Sequence, residues 1–130
     1  MRFAKIVFWI AGIWGVLVLT PLYFMFDAIG RDAPPAITHP QYFYGFVGVA
    51  LVWQLVFFVI ATDPVRFRPL IPLSLLEKLS FILAIAVLAG EGRLRATEWV
   101  AGIPDTGLLI LFLIAWFKTN TGGRAPLHSE

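Results

Sequence analysis

Cysteine is absent from all 130 residues. That excludes disulfides, thiolate metal sites and dithiol redox chemistry, and with them any membrane oxidoreductase of the thiol–disulfide kind. Histidine is nearly absent. His39 lies in a loop and His128 in the C-terminal tail, so no histidine pair inside an apolar segment can hold a haem axially. Charge is scarce at 14% of residues, and no basic face interleaved with polar residues exists, so nucleic acid is not an expected partner. The chain also lacks an HExxH, a phosphate loop, paired metal ligands and a serine set in a nucleophile elbow. No catalytic residue, cofactor or metal site is therefore assigned, and a non-enzymatic protein is expected.

Apolar residues dominate: 59% of the chain is hydrophobic and the mean hydropathy is +0.84. They fall in four long runs, at about residues 3–26, 42–61, 72–89 and 99–117. Each is long enough to cross a hydrocarbon layer of about 30 Å. The expectation is an all-α, four-helix transmembrane bundle forming one domain over residues 1–118, with a disordered cytoplasmic tail at 119–130. Arg2 and Lys5 resemble the basic start of a signal peptide. The run behind them is too long for a signal core, however, and no small-x-small cleavage pattern follows, so it reads as a retained helix.

Within the first run, Ala11, Gly12 and Gly15 give a narrow face for close helix approach, and Pro21 is expected to bend the far end. The connector at 27–41 carries three prolines and a glycine, which argue against helix through most of it. Tyr42, Phe43 and Tyr44 suit a membrane interface. In the third run Ser74, Glu77, Ser80, Ala84 and Leu88 form a partly polar side expected to face the bundle. In the fourth, Pro104 should leave the Val100 carbonyl without its helical donor. Lys and Arg placement predicts N-in/C-in topology: Arg2, Lys5, Arg66, Arg68, Lys78, Lys118 and Arg124 on one side, against Arg31, Arg93 and Arg95 on the other.

Three polar residues in the apolar runs need an explanation, because a carboxylate in hydrocarbon costs several kcal/mol (~3 or more) unless paired, protonated or hydrated. They are Glu77, Asp105 and Gln54. Counted at about 1.5 Å per residue from the outer helix ends, Asp105 lies ~10 Å deep, Gln54 ~18 Å and Glu77 ~20 Å. On that count Glu77 and Asp105 are too far apart for direct contact. Arg66 and Arg68, in the preceding turn, are candidate charge partners for Glu77. Lys78 is expected to point elsewhere and snorkel. The structural alternatives are ion pairing for Glu77, satisfaction of a helix break for Asp105 and interhelical hydrogen bonding for Gln54. The functional alternative makes Glu77 and Asp105 protonatable sites.

The strings PPAITHPQYFYGFVGVALVWQ, DPVRFRPL and LEKLSF resemble a family of small bacterial integral membrane proteins with four helices and no established activity. The resemblance covers most of the chain up to Lys118. It implies a multi-pass protein of the bacterial inner (cytoplasmic) membrane. Topology and size alone are similar to DoxX-like proteins, some of which associate with respiratory or redox complexes. The function expected from these readings is an accessory or scaffold subunit in membrane lipid, working as a homo-oligomer or with a membrane partner. The alternative is a small proton-coupled transporter, or a lipid- or quinone-binding protein, acting as an oligomer.

Overall fold

The computed structural model describes residues 2–121, which contain helices and no strand. Helix α1 spans Arg2–Leu19 and tightens into a 3-10 helix at Thr20–Phe24. The change falls at Pro21, whose missing N–H ends the α-helical ladder. A short α2, Phe26–Asp32, follows in the first connector; the prolines that break helix there all lie beyond it, at 34, 35 and 40. Helix α3 is Pro40–Thr62, starting on a proline whose absent donor would have been unpaired anyway. Helix α4 is Leu70–Gly90, α5 is the single turn Ala96–Trp99, and α6 is Gly102–Thr121. Of the segment expected to be a disordered tail, residues 119–121 continue α6 and the remainder lies outside the described residues.

Four segments are long and apolar enough to cross a membrane: Arg2–Phe24, Pro40–Thr62, Leu70–Gly90 and Ala96–Asn120. Between 17% and 28% of an 18-residue stretch of each span is buried inside the protein. The rest of their apolar surface faces outward, Leu17, Leu55, Leu76 and Ile103 among it. Helices apolar all round suit a hydrocarbon surround and not water.

The helices do not follow chain order in space. Helix α1 packs on both α3 and α6, and α6 packs on α4, whereas α3 and α4, neighbours in sequence, scarcely meet. On α1 the inward stripe is Ala4, Val7, Phe8, Ala11, Gly12 and Gly15, the three- and four-residue spacing of one helical face. A Cβ at Gly12 would run into the Phe58 ring, and one at Gly15 into the Gln54 side chain. These glycines therefore set how closely α1 and α3 approach.

One half of the bundle is solid. Phe8 and Phe112 stack at 4.4 Å between centroids, and Phe57 meets Phe112 edge-on at 5.1 Å. Ile60, Ile71 and Ala115 close the cluster with no exposed area. In lipid such contacts stabilise through dispersion and shape fit, since burial against another helix removes little water. Arg68 locks the same end: its guanidinium lies 3.3 Å from the centroid of the Trp116 ring, and it donates to Thr119 Oγ1 (3.2 Å) and the Trp116 carbonyl (3.3 Å). Those groups belong to the last turns of α6, the end of a helix where a cation is favoured.

Candidate functional site

The other half of the bundle holds a partly open cavity of about 490 Å³. Its walls come from the far half of α1, from α3, from α4 and from the start of α6. Most are apolar: Trp14, Leu19, Phe46, Phe81 and Pro104 are representative. Its polar members are Gln54, Glu77, Lys78 and Asp105. The aromatic cluster lies next to them, with Lys78 Nζ 5.3 Å from the centroid of the Phe57 ring.

Lys78 is the centre of this polar group, and its side chain is only 7% exposed. It donates to Asp105 Oδ1 at 3.2 Å and pairs with Glu77 Oε2 at 3.6 Å. Helix register brings them together. Arg68 against Trp116 and Ile85 against Gly102 fix the antiparallel alignment of α4 and α6. Lys78 is ten residues from Arg68 and Asp105 eleven from Trp116, about 15 and 16 Å along their helices. They therefore arrive at one level.

This arrangement qualifies one expectation and corrects two. Glu77 and Asp105, expected not to touch directly, are joined through one lysine. The depth count took the outer ends of the two helices as level, whereas Gly102, the first residue of α6, lies against Ile85, five residues inside the end of α4. Lys78 does not snorkel to the boundary. The buried residues of α4 are Ile71, Ser74 and Lys78; of the expected side Ser74 is buried and Glu77 lines the cavity, while Ser80 and Ala84 face out. Nor do Arg66 and Arg68 serve Glu77. Arg68 is held by α6, and Arg66 lies over the Phe67 ring at 5.2 Å, its backbone N–H donating to Asp63 Oδ1 at 3.1 Å.

Pro104 also changes role. It falls in the first turn of α6, where no helical donor is needed, and the Val100 carbonyl accepts from the Ile103 N–H at 3.1 Å. Asp105 thus stands in a first helical turn, where the backbone dipole favours a carboxylate.

Gln54 is 1% exposed. Its Nε2 donates to the Ala50 carbonyl at 2.8 Å, one turn back on the same helix, while Oε1 has no hydrogen-bond partner. Glu77 Oε2 is likewise buried and, beyond its ion pair, has no hydrogen bond. Gln54 Oε1, packed against Gly15 of α1, and Glu77 Oε2, beside Lys78, are thus acceptors without a hydrogen bond, an uncommon and costly state for buried polar atoms.

A second hollow, of about 710 Å³, lies between α3 and α4 where those helices part. Phe46, Ala50, Glu77 and Phe81 line both spaces. The Phe46 and Phe81 rings stack across the gap at 6.2 Å. They form a partition of two side chains between the outer cleft and the inner cavity. Among the described residues no group of three or more His, Cys, Asp or Glu is placed to hold a metal ion.

The sequence marked Glu77, Asp105 and Gln54 and missed Lys78, Phe46 and Phe81. A signal for Lys78 was present: it is the one basic residue well inside an apolar run of α4, and an intramembrane cation commonly faces a counter-charge within the bundle. No family model matches the chain, and no curated protein and no solved structure matches it either.

Proposed function

We propose that this protein is a membrane-embedded binding protein for a small amphiphilic molecule, taken up sideways from the bilayer between α3 and α4. The observation that carries the reading is the cavity itself. It is apolar over most of its wall and holds Lys78, Glu77, Asp105 and Gln54 together, the pattern of an orienting polar group in an apolar pocket. The cleft behind Phe46 and Phe81 supports a lateral path, because a ligand dissolved in lipid need not cross water. This lipid- or quinone-like binding role takes precedence over the scaffold role, since a scaffold needs no hollow at its centre. Partners in the form of a second copy or another membrane protein remain compatible with it.

The orientation we propose places both termini in the cytoplasm of a bacterium, with the cavity in the outer half of the inner membrane. Supporting it, Arg2, Lys5, Arg66, Arg68 and Lys118 belong to the ends gathered around the solid half, where Arg68 grips Trp116 and Lys118 Nζ lies 4.5 Å from the Phe3 centroid. Arg31, Arg93 and Arg95 belong to the opposite connectors.

The test is native mass spectrometry on protein taken gently from its own membrane, beside an Ala101→Trp variant. Ala101 lines the cavity, so an indole there takes up its space while all four polar side chains are kept. A small molecule retained at fixed stoichiometry, and lost in the variant, supports the reading. A variant that keeps the same adduct, or protein that carries none and takes up no added amphiphile, overturns it.

A further inference from the structure

One face of α1 turns away from the core and changes character along its length. Arg2, Lys5 and Trp9 follow one another at three- and four-residue spacing, and with Ile6 they line an open hollow of about 500 Å³ on the outer surface. Beyond it the same stripe continues as Ile13 and Leu17, 51% and 67% exposed. From Ile6 to Leu17 is about 16 Å along the helix, close to the hydrocarbon depth of one leaflet, half of about 30 Å. The stripe is thus cationic at the membrane boundary and apolar from there to mid-bilayer. Its cations are uncommitted. Among the described residues neither Arg2 nor Lys5 forms an ion pair or a side-chain hydrogen bond. The surrounding charge has one sign. Among the described residues this end of the bundle holds Arg2, Lys5, Arg66, Arg68 and Lys118 against the single carboxylate of Asp63, a net charge of +4, whereas the connectors of the opposite end, 27–41 and 90–98, sum to −1.

We infer that this stripe binds one anionic phospholipid, its phosphate seated on Arg2 and Lys5 and an acyl chain laid along Ile6, Ile13 and Leu17. A phosphate can take both cations at once, the guanidinium through forked donors and the ammonium as a compact charge. Trp9 stands four residues, about 6 Å, beneath Lys5. The Phe58 ring of α3 lies beside it at 5.3 Å between centroids, and its indole N–H has no acceptor among the described residues. That sets a donor at the level of a lipid's ester carbonyls, the depth that tryptophan favours at a membrane interface. A zwitterionic headgroup brings its own ammonium into a region of positive charge and gains less. A free soluble anion has no chain for the apolar part of the stripe. The hollow shares no residue with the central cavity, so the inference does not rest on the binding reading above.

The experiment is native mass spectrometry of the full chain, delipidated in detergent and titrated with phosphatidylglycerol or phosphatidylcholine of identical acyl chains. A basic residue beside an anionic headgroup is worth about fivefold in affinity. The unaltered protein should therefore take its first phosphatidylglycerol about tenfold or more tighter than phosphatidylcholine. Lys5→Gln should weaken that first lipid about fivefold, and Arg2→Gln with Lys5→Gln about thirtyfold, to near the phosphatidylcholine level. Both side chains are exposed, so neither change threatens the fold. Arg66→Gln removes the same charge from the same end away from the hollow and should leave the affinity within about twofold. Equal binding of the two lipids by the unaltered protein would overturn the inference, and so would a preference that survives the double variant. An Arg66→Gln loss as large as that of Lys5→Gln would overturn it too, making the general field responsible and not a site. Glycerol 3-phosphate should not displace the lipid; displacement would make this a site for a free anion. Ala101→Trp should leave the first phosphatidylglycerol bound, and its loss there would put the lipid in the cavity and overturn the site on α1.

Discussion

Replacing Lys78 with methionine keeps most of the length of the apolar stem and removes the charge. In the structure Nζ sits 3.2 Å from Asp105 Oδ1 and 3.6 Å from Glu77 Oε2. At an effective dielectric of about 20 each contact is worth roughly 5 kcal/mol of gross attraction. Much of that offsets the cost of taking three charges out of water, so the net value of the cluster is small. Truncation is different, because it leaves two carboxylates facing each other without a cation. Removing one partner of a buried pair costs about 3–5 kcal/mol, a large share of a typical total stability of about 5–15 kcal/mol. The assay is reversible unfolding in mixed dodecyl maltoside and sodium dodecyl sulfate micelles, followed by the fluorescence of the five tryptophans. The triple variant Lys78→Met, Glu77→Gln, Asp105→Asn removes every charge and should recover to within about 2 kcal/mol of the original. A Lys78→Met protein within about 1 kcal/mol of the original, or a triple variant less stable than the single one, would refute the ion-pair argument.

Other perturbations test the rest of the framework. Gly15→Ala puts a methyl into the space of the Gln54 amide and should cost about 1–3 kcal/mol in the same unfolding assay. Gly45→Ala meets nothing within 4 Å and should be neutral or stabilising by up to about 1 kcal/mol. Arg68→Lys keeps the charge but loses the flat stack on Trp116 and the forked donors, so a loss of about 1–2 kcal/mol is expected that lysine does not restore. Phe112→Ala opens a void between Phe8 and Phe57 and should cost about 3 kcal/mol, the lower end for aromatic truncation, because in lipid the hydrophobic transfer contribution is small. Because the chain has no native cysteine, Asp63→Cys and Glu91→Cys can be labelled singly in intact cells. An impermeant maleimide should reach only the residue at 91, and the reverse pattern would invert the proposed topology.

Four crossings were legible in the sequence because hydrocarbon imposes a strong and local rule: about 20 consecutive apolar residues per helix. The glycines of α1 and the proline that ends it were legible for similar reasons, since each acts through its own backbone. The polar residues were also visible, because Glu77, Asp105 and Gln54 violate the rule that surrounds them. What they touch was not. Whether Lys78 meets Asp105 depends on which helices are neighbours and on the register of α4 against α6, which hydropathy does not encode. The face of α4 was equally undecidable, because a helix apolar on all sides has no periodic signal to say which stripe turns inward. The cavity and its Phe46–Phe81 partition exist only because α3 and α4, adjacent in the chain, stand apart in space. The sequence by itself determined the solvent, the number of crossings and the residues out of place in them. The tertiary structure alone decided who faces whom, because in lipid helix pairing rests on shape and on a few polar contacts, and neither can be read along a single strand of sequence.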